Sequence, residues 1–218
     1  MKPYVSFTLS FTVCEIPKSG MPFTPLSDRI LFLNQSSIPN GSKTNDLQVS
    51  HSLSDMNRDI YTSSNITVAQ HPSENERRLC ARILAYCHGY TEDLEFTKGL
   101  STTDEPDLWE KELHGDIRRW VELGEPDLDR VKKASRVASR VSIYGYNTSV
   151  DQWWQQNQTK ITGFCDGIYK IDSEALDQFG EALTRTMDLS IMLTGNDIYV
   201  DTGSDSITIS IETLYAKD

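Results

Sequence analysis

A chain of 218 residues, 38% of them hydrophobic, has enough material for one well-buried domain with an appendage. Its formal net charge of −11 excludes coating nucleic acid through a broad basic face, since that mode releases counterions from many phosphates. No apolar run approaches the roughly 18 to 20 residues that a membrane-spanning helix needs, so the expectation is a cytoplasmic, monomeric protein without a membrane partner.

The first 46 residues hold five of the eight prolines, lack sustained periodicity and are nearly neutral. They read as an irregular extension, for which a mis-assigned start is a simpler origin than a functional arm. Tyr4 to Val13 is interrupted by Ser and Thr and lacks a small-x-small cleavage site, so no secretory leader is expected. The N-x-S/T triplets at Asn34, Asn65, Asn147 and Asn157 then carry no glycosylation meaning. From Leu47 the pattern changes. Leu47 to Leu53 and Tyr61 to Ala69 alternate as strands around a turn at residues 55 to 59. Ser73-Glu74-Asn75-Glu76 has the form of a capping box, with Ser73 as N-cap. The helix after it carries an apolar stripe of Leu79, Ile83, Cys87 and Tyr90 and stops at Gly89.

Next comes a predicted hairpin: a strand from Asp107 to Leu113, a turn at His114-Gly115-Asp116 and a return strand from Ile117 to Leu123. This spacing carries Asp107 and Glu122 to the same end of the pair. Two carboxylates held together form the usual nucleus of a divalent-metal site, because Mg²⁺ takes hard oxygen ligands. Asp104 and Glu105 stand as alternatives to Asp107. Pro126-Asp127 opens a second helix, with Leu128, Val131, Ala134, Ala138 and Val141 on its buried face and Lys132 beside that stripe. A strand to Tyr146, a helix from Ser149 through Trp153-Trp154, a short helix from Ala175 to Leu183 and three strands complete the chain, with Gly195-Asn196 and Gly203-Ser204 as turns.

Other chemistry-bearing residues read as structural. Cys14, Cys80, Cys87 and Cys165 form no C-x-x-C pair, and Cys80 and Cys87 suit helix packing. His51, His88 and His114 lack a partner pattern and are expected in loops or at the surface, while His71 before Pro72 shapes a turn. Of Trp153 and Trp154, one is expected in the core and the other at its edge. Gln155 and Gln158 are candidates for binding a phosphate or supporting a carboxylate.

Seven separate segments, in order, resemble the YaeQ family of bacterial proteins. They are Ser54-Asp55-Met56-Asn57-Arg58, His71-Pro72-Ser73-Glu74, Phe96-Thr97-Lys98-Gly99-Leu100, Asp104-Glu105-Pro106, Trp120-Val121-Glu122-Leu123-Gly124, Arg130-Val131-Lys132-Lys133-Ala134 and Trp153-Trp154-Gln155-Gln156. The resemblance covers residues 47 to 218. It implies a compact single α/β domain, a mixed β-sheet flanked by helices, as a variant of the PD-(D/E)XK nuclease core. It also implies a Mg²⁺-dependent nuclease or phosphodiesterase site. Glu74 would orient water or add a metal ligand, Asp107 and Glu122 would bind Mg²⁺ with the Leu123 carbonyl, and Lys132 would stabilise developing charge. The nuclease pattern places its lysine two residues after the second acid, where this chain has Gly124, so Lys132 or Lys133 must reach in from the following helix. The expected partner is nucleic acid or a phosphorylated small molecule. The rival reading is a non-catalytic nucleic-acid-binding or regulatory protein on a degenerate scaffold.

Overall fold

Among the described residues, alternating apolar positions build one ten-stranded mixed sheet, ordered β2-β1-β8-β9-β10-β7-β6-β5-β4-β3. The structure is a computed structural model, and it describes residues 45–102 and 104–217. The irregular extension expected over residues 1 to 46 therefore lies outside the described residues, apart from Asn45 and Asp46, which begin the first strand.

The strands are β1 (Asn45–Asp55), β2 (Ile60–Gln70), β3 (Leu94–Phe96), β4 (Leu108–Lys111), β5 (Ile117–Leu123), β6 (Ala138–Gly145), β7 (Gly167–Ile171), β8 (Thr186–Thr194), β9 (Asp197–Asp201) and β10 (Ser206–Ala216). The helices are α1 (Glu76–His88), α2 (Leu128–Val137), α3 (Val150–Ile161) and α4 (Ser173–Glu181). β5, β6 and β7 run parallel, joined through α2 and α3, and β1 runs parallel to β8. The remaining neighbours are antiparallel.

Period-two alternation divides the apolar residues between two cores. On β5, Val121 and Leu123 point toward α1 and α4, whose cluster also takes Val49, Leu53, Ile191 and Ile209 from the other strands. Trp120 on the same strand points the opposite way, toward Val131 and Ala134 of α2 and Ile161 of α3. The sheet is thus covered on both faces at β5 to β7, as a parallel segment requires. α1 is buried from Leu79 to Cys87, well beyond its predicted stripe, because it packs against both the sheet and α4.

Several expectations need correction. Asn75, not Ser73, caps α1: its side chain accepts from the Arg78 N–H at 2.8 Å. Ser73 instead bonds the His71 ring at 2.6 Å within a turn. α2 ends at Val137, so Ala138 and Val141, placed on its buried face by periodicity, belong to β6. β3 and β7 have no counterpart in the sequence reading. His51 is buried within β1, and His88 is half-buried at the end of α1, where it faces Tyr144 and Tyr169. Trp153 and Trp154 are both half-buried against the second cluster.

Candidate functional site

The hairpin forms as its sequence suggests. β4 and β5 pair with Leu108 opposite Val121, and the Glu112 N–H bonds Asp116 O at 2.9 Å across the turn. Asp107, one residue before β4, and Glu122 near the end of β5 line one cavity of about 260 Å³. Arg78 from α1 and Arg130 from α2 also line it.

Each acid is held by an arginine. Asp107 is 2% exposed: one carboxylate oxygen meets Arg78 Nη2, and the other accepts from the Leu123 N–H at 2.9 Å. Glu122 is 3% exposed, and its Oε1 accepts from Arg130 Nε and from Trp120 Nε1, both at 2.7 Å. Burial pushes the Glu122 carboxyl up, while Arg130 and Trp120 pull it back. Arg78 loses stability as a cation through burial, but the Asp107 charge, Tyr146 and Glu74 more than restore it, and its pKa is raised. Arg130 is fixed further by a 2.9 Å bond from Nη2 to Glu105 O.

Glu74 belongs to the same network without lining the cavity. Its carboxylate takes Arg82 Nη1 at 3.0 Å and lies 3.6 Å from Arg78 Nε. Arg82 is completely buried and also donates to Ala69 O and Thr97 O. An ideal Cβ on Gly99 would stand 3.3 Å from that guanidinium, so a residue without a side chain lets the chain close over it. Glu74, Arg78 and Arg82 recur at four-residue spacing, a signal for this ion-pair chain that the sequence carries beside its acids and lysines.

Lys132 does not line this cavity. Its Nζ lies 3.9 Å from Asp129 Oδ1 and 5.7 Å from the centre of the Phe164 ring. Of the three candidate first acids, Asp104 is exposed and pairs with Lys133, Glu105 is half-buried at the cavity, and Asp107 is buried there. Gly124 has φ of +91° and its N–H bonds Tyr144 O at 2.9 Å. That left-handed backbone is open to glycine and strained for lysine, a physical reason for the departure from the nuclease pattern. Gln155 and Gln158 are exposed on α3.

This arrangement does not fit a Mg²⁺ site. Such a site needs carboxylate oxygens open to the cation, whereas both oxygens of Asp107 and the Oε1 of Glu122 are taken by guanidinium, indole and backbone donors. Among the described residues, no group of three or more His, Cys, Asp or Glu side chains is arranged to hold a metal. No helix among them is long and apolar enough to cross a membrane.

The family described as YaeQ protein matches residues 42–211. This chain belongs to the YaeQ family. It is 36% identical to the uncharacterised YaeQ protein of Salmonella typhi over 161 residues, covering 73% of this chain and 89% of that one. It is 34% identical to the uncharacterised YaeQ protein of Escherichia coli K12 over the same length and shares. Among solved structures, the YaeQ protein of Xanthomonas axonopodis pv. citri superimposes with a TM-score of 0.78 at 30% identity, covering 80% of this chain and all of that one. The Pseudomonas syringae YaeQ protein gives 0.75 at 30% identity, covering 80% and 97%. The described residues of this chain, a mixed sheet with four helices, thus share the architecture of the YaeQ structures.

Proposed function

We propose that this YaeQ protein is a non-catalytic binding protein on a nuclease-like scaffold, whose cavity between α1, α2 and the β4–β5 hairpin takes a small phosphorylated molecule. The observation that carries the reading is the pairing of Asp107 with Arg78 and of Glu122 with Arg130. Guanidinium groups stand where the nuclease pattern needs a metal, so the acids serve to orient arginines. Arginine forks suit phosphate. The net charge of −11 and the Glu105 and Glu125 carboxylates at the rim oppose a long polyanion.

The catalytic reading keeps one supporting observation, that Asp107 and Glu122 line the same cavity. It requires Arg78 and Arg130 to leave both acids and Lys132 to leave Asp129. The two readings part in a turnover assay. Wild type and the Asp107→Asn/Glu122→Gln variant are incubated with single-stranded and duplex oligonucleotides and an activated phosphodiester, in Mg²⁺ or Mn²⁺. The binding reading expects no cleavage above background from either. Cleavage by wild type that the variant abolishes overturns it.

A further inference from the structure

A second surface lies apart from the cavity. β2, β1, β8, β9 and β10 turn one face toward α1 and α4, and among the described residues no helix packs on the other. Most of that outer face carries serine and threonine, as a solvated sheet should. One row does not. Tyr61 pairs across from Ser54, Ser54 lies beside Met192, and Met192 is opposite Tyr199. Tyr61 is 62% exposed, Met192 41% and Tyr199 38%, and Met56, 51% exposed, receives the Tyr61 hydroxyl at 3.5 Å. Single exposed apolar residues need no explanation, but Tyr61, Met192 and Tyr199 share one row, with Ser54 between the first two, and Met56 adjoins it from the β1–β2 turn, which together make a patch.

The five strands of this face carry acids and no cations. Residues 186 to 216 contain Asp188, Asp197, Asp201, Asp205 and Glu212 and no Lys or Arg, and neither β1 nor β2 contributes either. The cations that flank these strands are Arg58, which binds Asp55 and Tyr90 O, Lys170, between Asp151 and Glu212, Lys217, which faces Asp166, and Arg185, which precedes β8 at the end away from Met192. The end of the patch is also stapled. Asn57, in the β1–β2 turn, donates to Gly195 O at 3.0 Å and accepts from the Gly195 N–H at 2.8 Å, and Met56 N bonds Leu193 O at 2.9 Å. A surface fixed before docking has less ordering left to do.

We infer that this face docks a basic protein segment, with Tyr61, Met192 and Tyr199 as its apolar anchors and the surrounding aspartates as its rim. Arginine and lysine satisfy both parts, since their stems cover apolar surface and their heads pair with aspartate or sit over a tyrosine ring. Nucleic acid and a second copy of this face are disfavoured by like charge. The inference is independent of the reading of the cavity.

The test uses the full chain and a short labelled peptide alternating arginine and leucine, with a glutamate-for-arginine counterpart as control, followed by fluorescence anisotropy. The arginine peptide should bind and the glutamate peptide should not. Met192→Ser/Tyr199→Ser should weaken binding about tenfold or more, as expected for central anchors. Asp188→Asn/Asp201→Asn should lower both affinity and its salt dependence, and Glu92→Gln/Glu95→Gln, exposed acids on another part of the surface, should change neither. All substituted side chains are exposed, and circular dichroism verifies that the variants fold. Equal losses from the two acid variants, or no loss from Met192→Ser/Tyr199→Ser, would reduce the attraction to net charge and overturn the proposal. Self-association by sedimentation, abolished by Met192→Ser/Tyr199→Ser, would also overturn it by assigning the face to a second copy.

Discussion

Replacing Arg78 with methionine would remove the cation that faces Asp107 while keeping an unbranched apolar stem in the same space. Asp107 is 2% exposed, and its remaining partner would be the Leu123 N–H at 2.9 Å. Glu74 would still have Arg82 at 3.0 Å, so the loss concentrates on Asp107. Stranding a buried charge costs about 3 to 5 kcal/mol. The Arg78 side chain is 16% exposed, which lets some water reach the stranded acid and sets the expected loss at about 3 kcal/mol. Asp107→Asn keeps an acceptor for the Leu123 N–H and removes the charge, so the double variant Arg78→Met/Asp107→Asn should recover part of the loss, with a coupling of about 2 kcal/mol. Urea unfolding of the four proteins of the cycle, with unchanged m-values, measures it. A single variant within about 0.5 kcal/mol of wild type, or a cycle without coupling, would refute the claim that Arg78 is the counter-ion of Asp107.

Three further outcomes are expected. Burial, with the charges of Arg58 and Arg119, pushes His88 down to about 4. An unfolded imidazole titrates near 6.5, so the unfolded chain binds more protons between those values; stability should fall by on the order of 3 kcal/mol as pH drops from 6.5 to 4. His88→Phe should flatten that slope in denaturation curves, and an unchanged slope would place the titration elsewhere. Asn75→Ala should cost about 1 kcal/mol of stability and Ser73→Ala much less, because Asn75 is the cap; the reverse order would restore the capping box. Gly145→Ala should cost about 1 to 3 kcal/mol by thermal unfolding, since its Cβ would stand 2.7 Å from Val150 Cγ2, and a neutral result would mean that α3 shifts freely.

The half-buried strands were the legible part of this fold. β8, β9 and the first half of β10 alternate cleanly, and a one-residue slip would turn their buried aliphatic side chains outward. β3 and β7 escaped because three residues, and five residues opening on glycine, are too short to display a period. Ser73 and Asn75 both have cap chemistry, and only the path of the chain from β2 decides between them. At the site, the hairpin spacing brought Asp107 and Glu122 together, yet nothing local shows where a long flexible arginine will end. Arg130 stands two residues from Lys132, and one helical turn sends the first to Glu122 and the second to Asp129 and Phe164. A lone histidine has no sequence pattern, so His51 and His88 suggest loop or surface positions, while tertiary packing buries the first and half-buries the second, each against a tyrosine.

Isothermal titration of Mn²⁺ into the full chain, beside Asp107→Asn/Glu122→Gln, addresses the arginine-held acids most directly. If Arg78 and Arg130 occupy these carboxylates, neither protein should give saturable heat at millimolar metal. Saturable binding by wild type that the variant abolishes would mean that the guanidiniums yield to the cation, and the non-catalytic reading would fall.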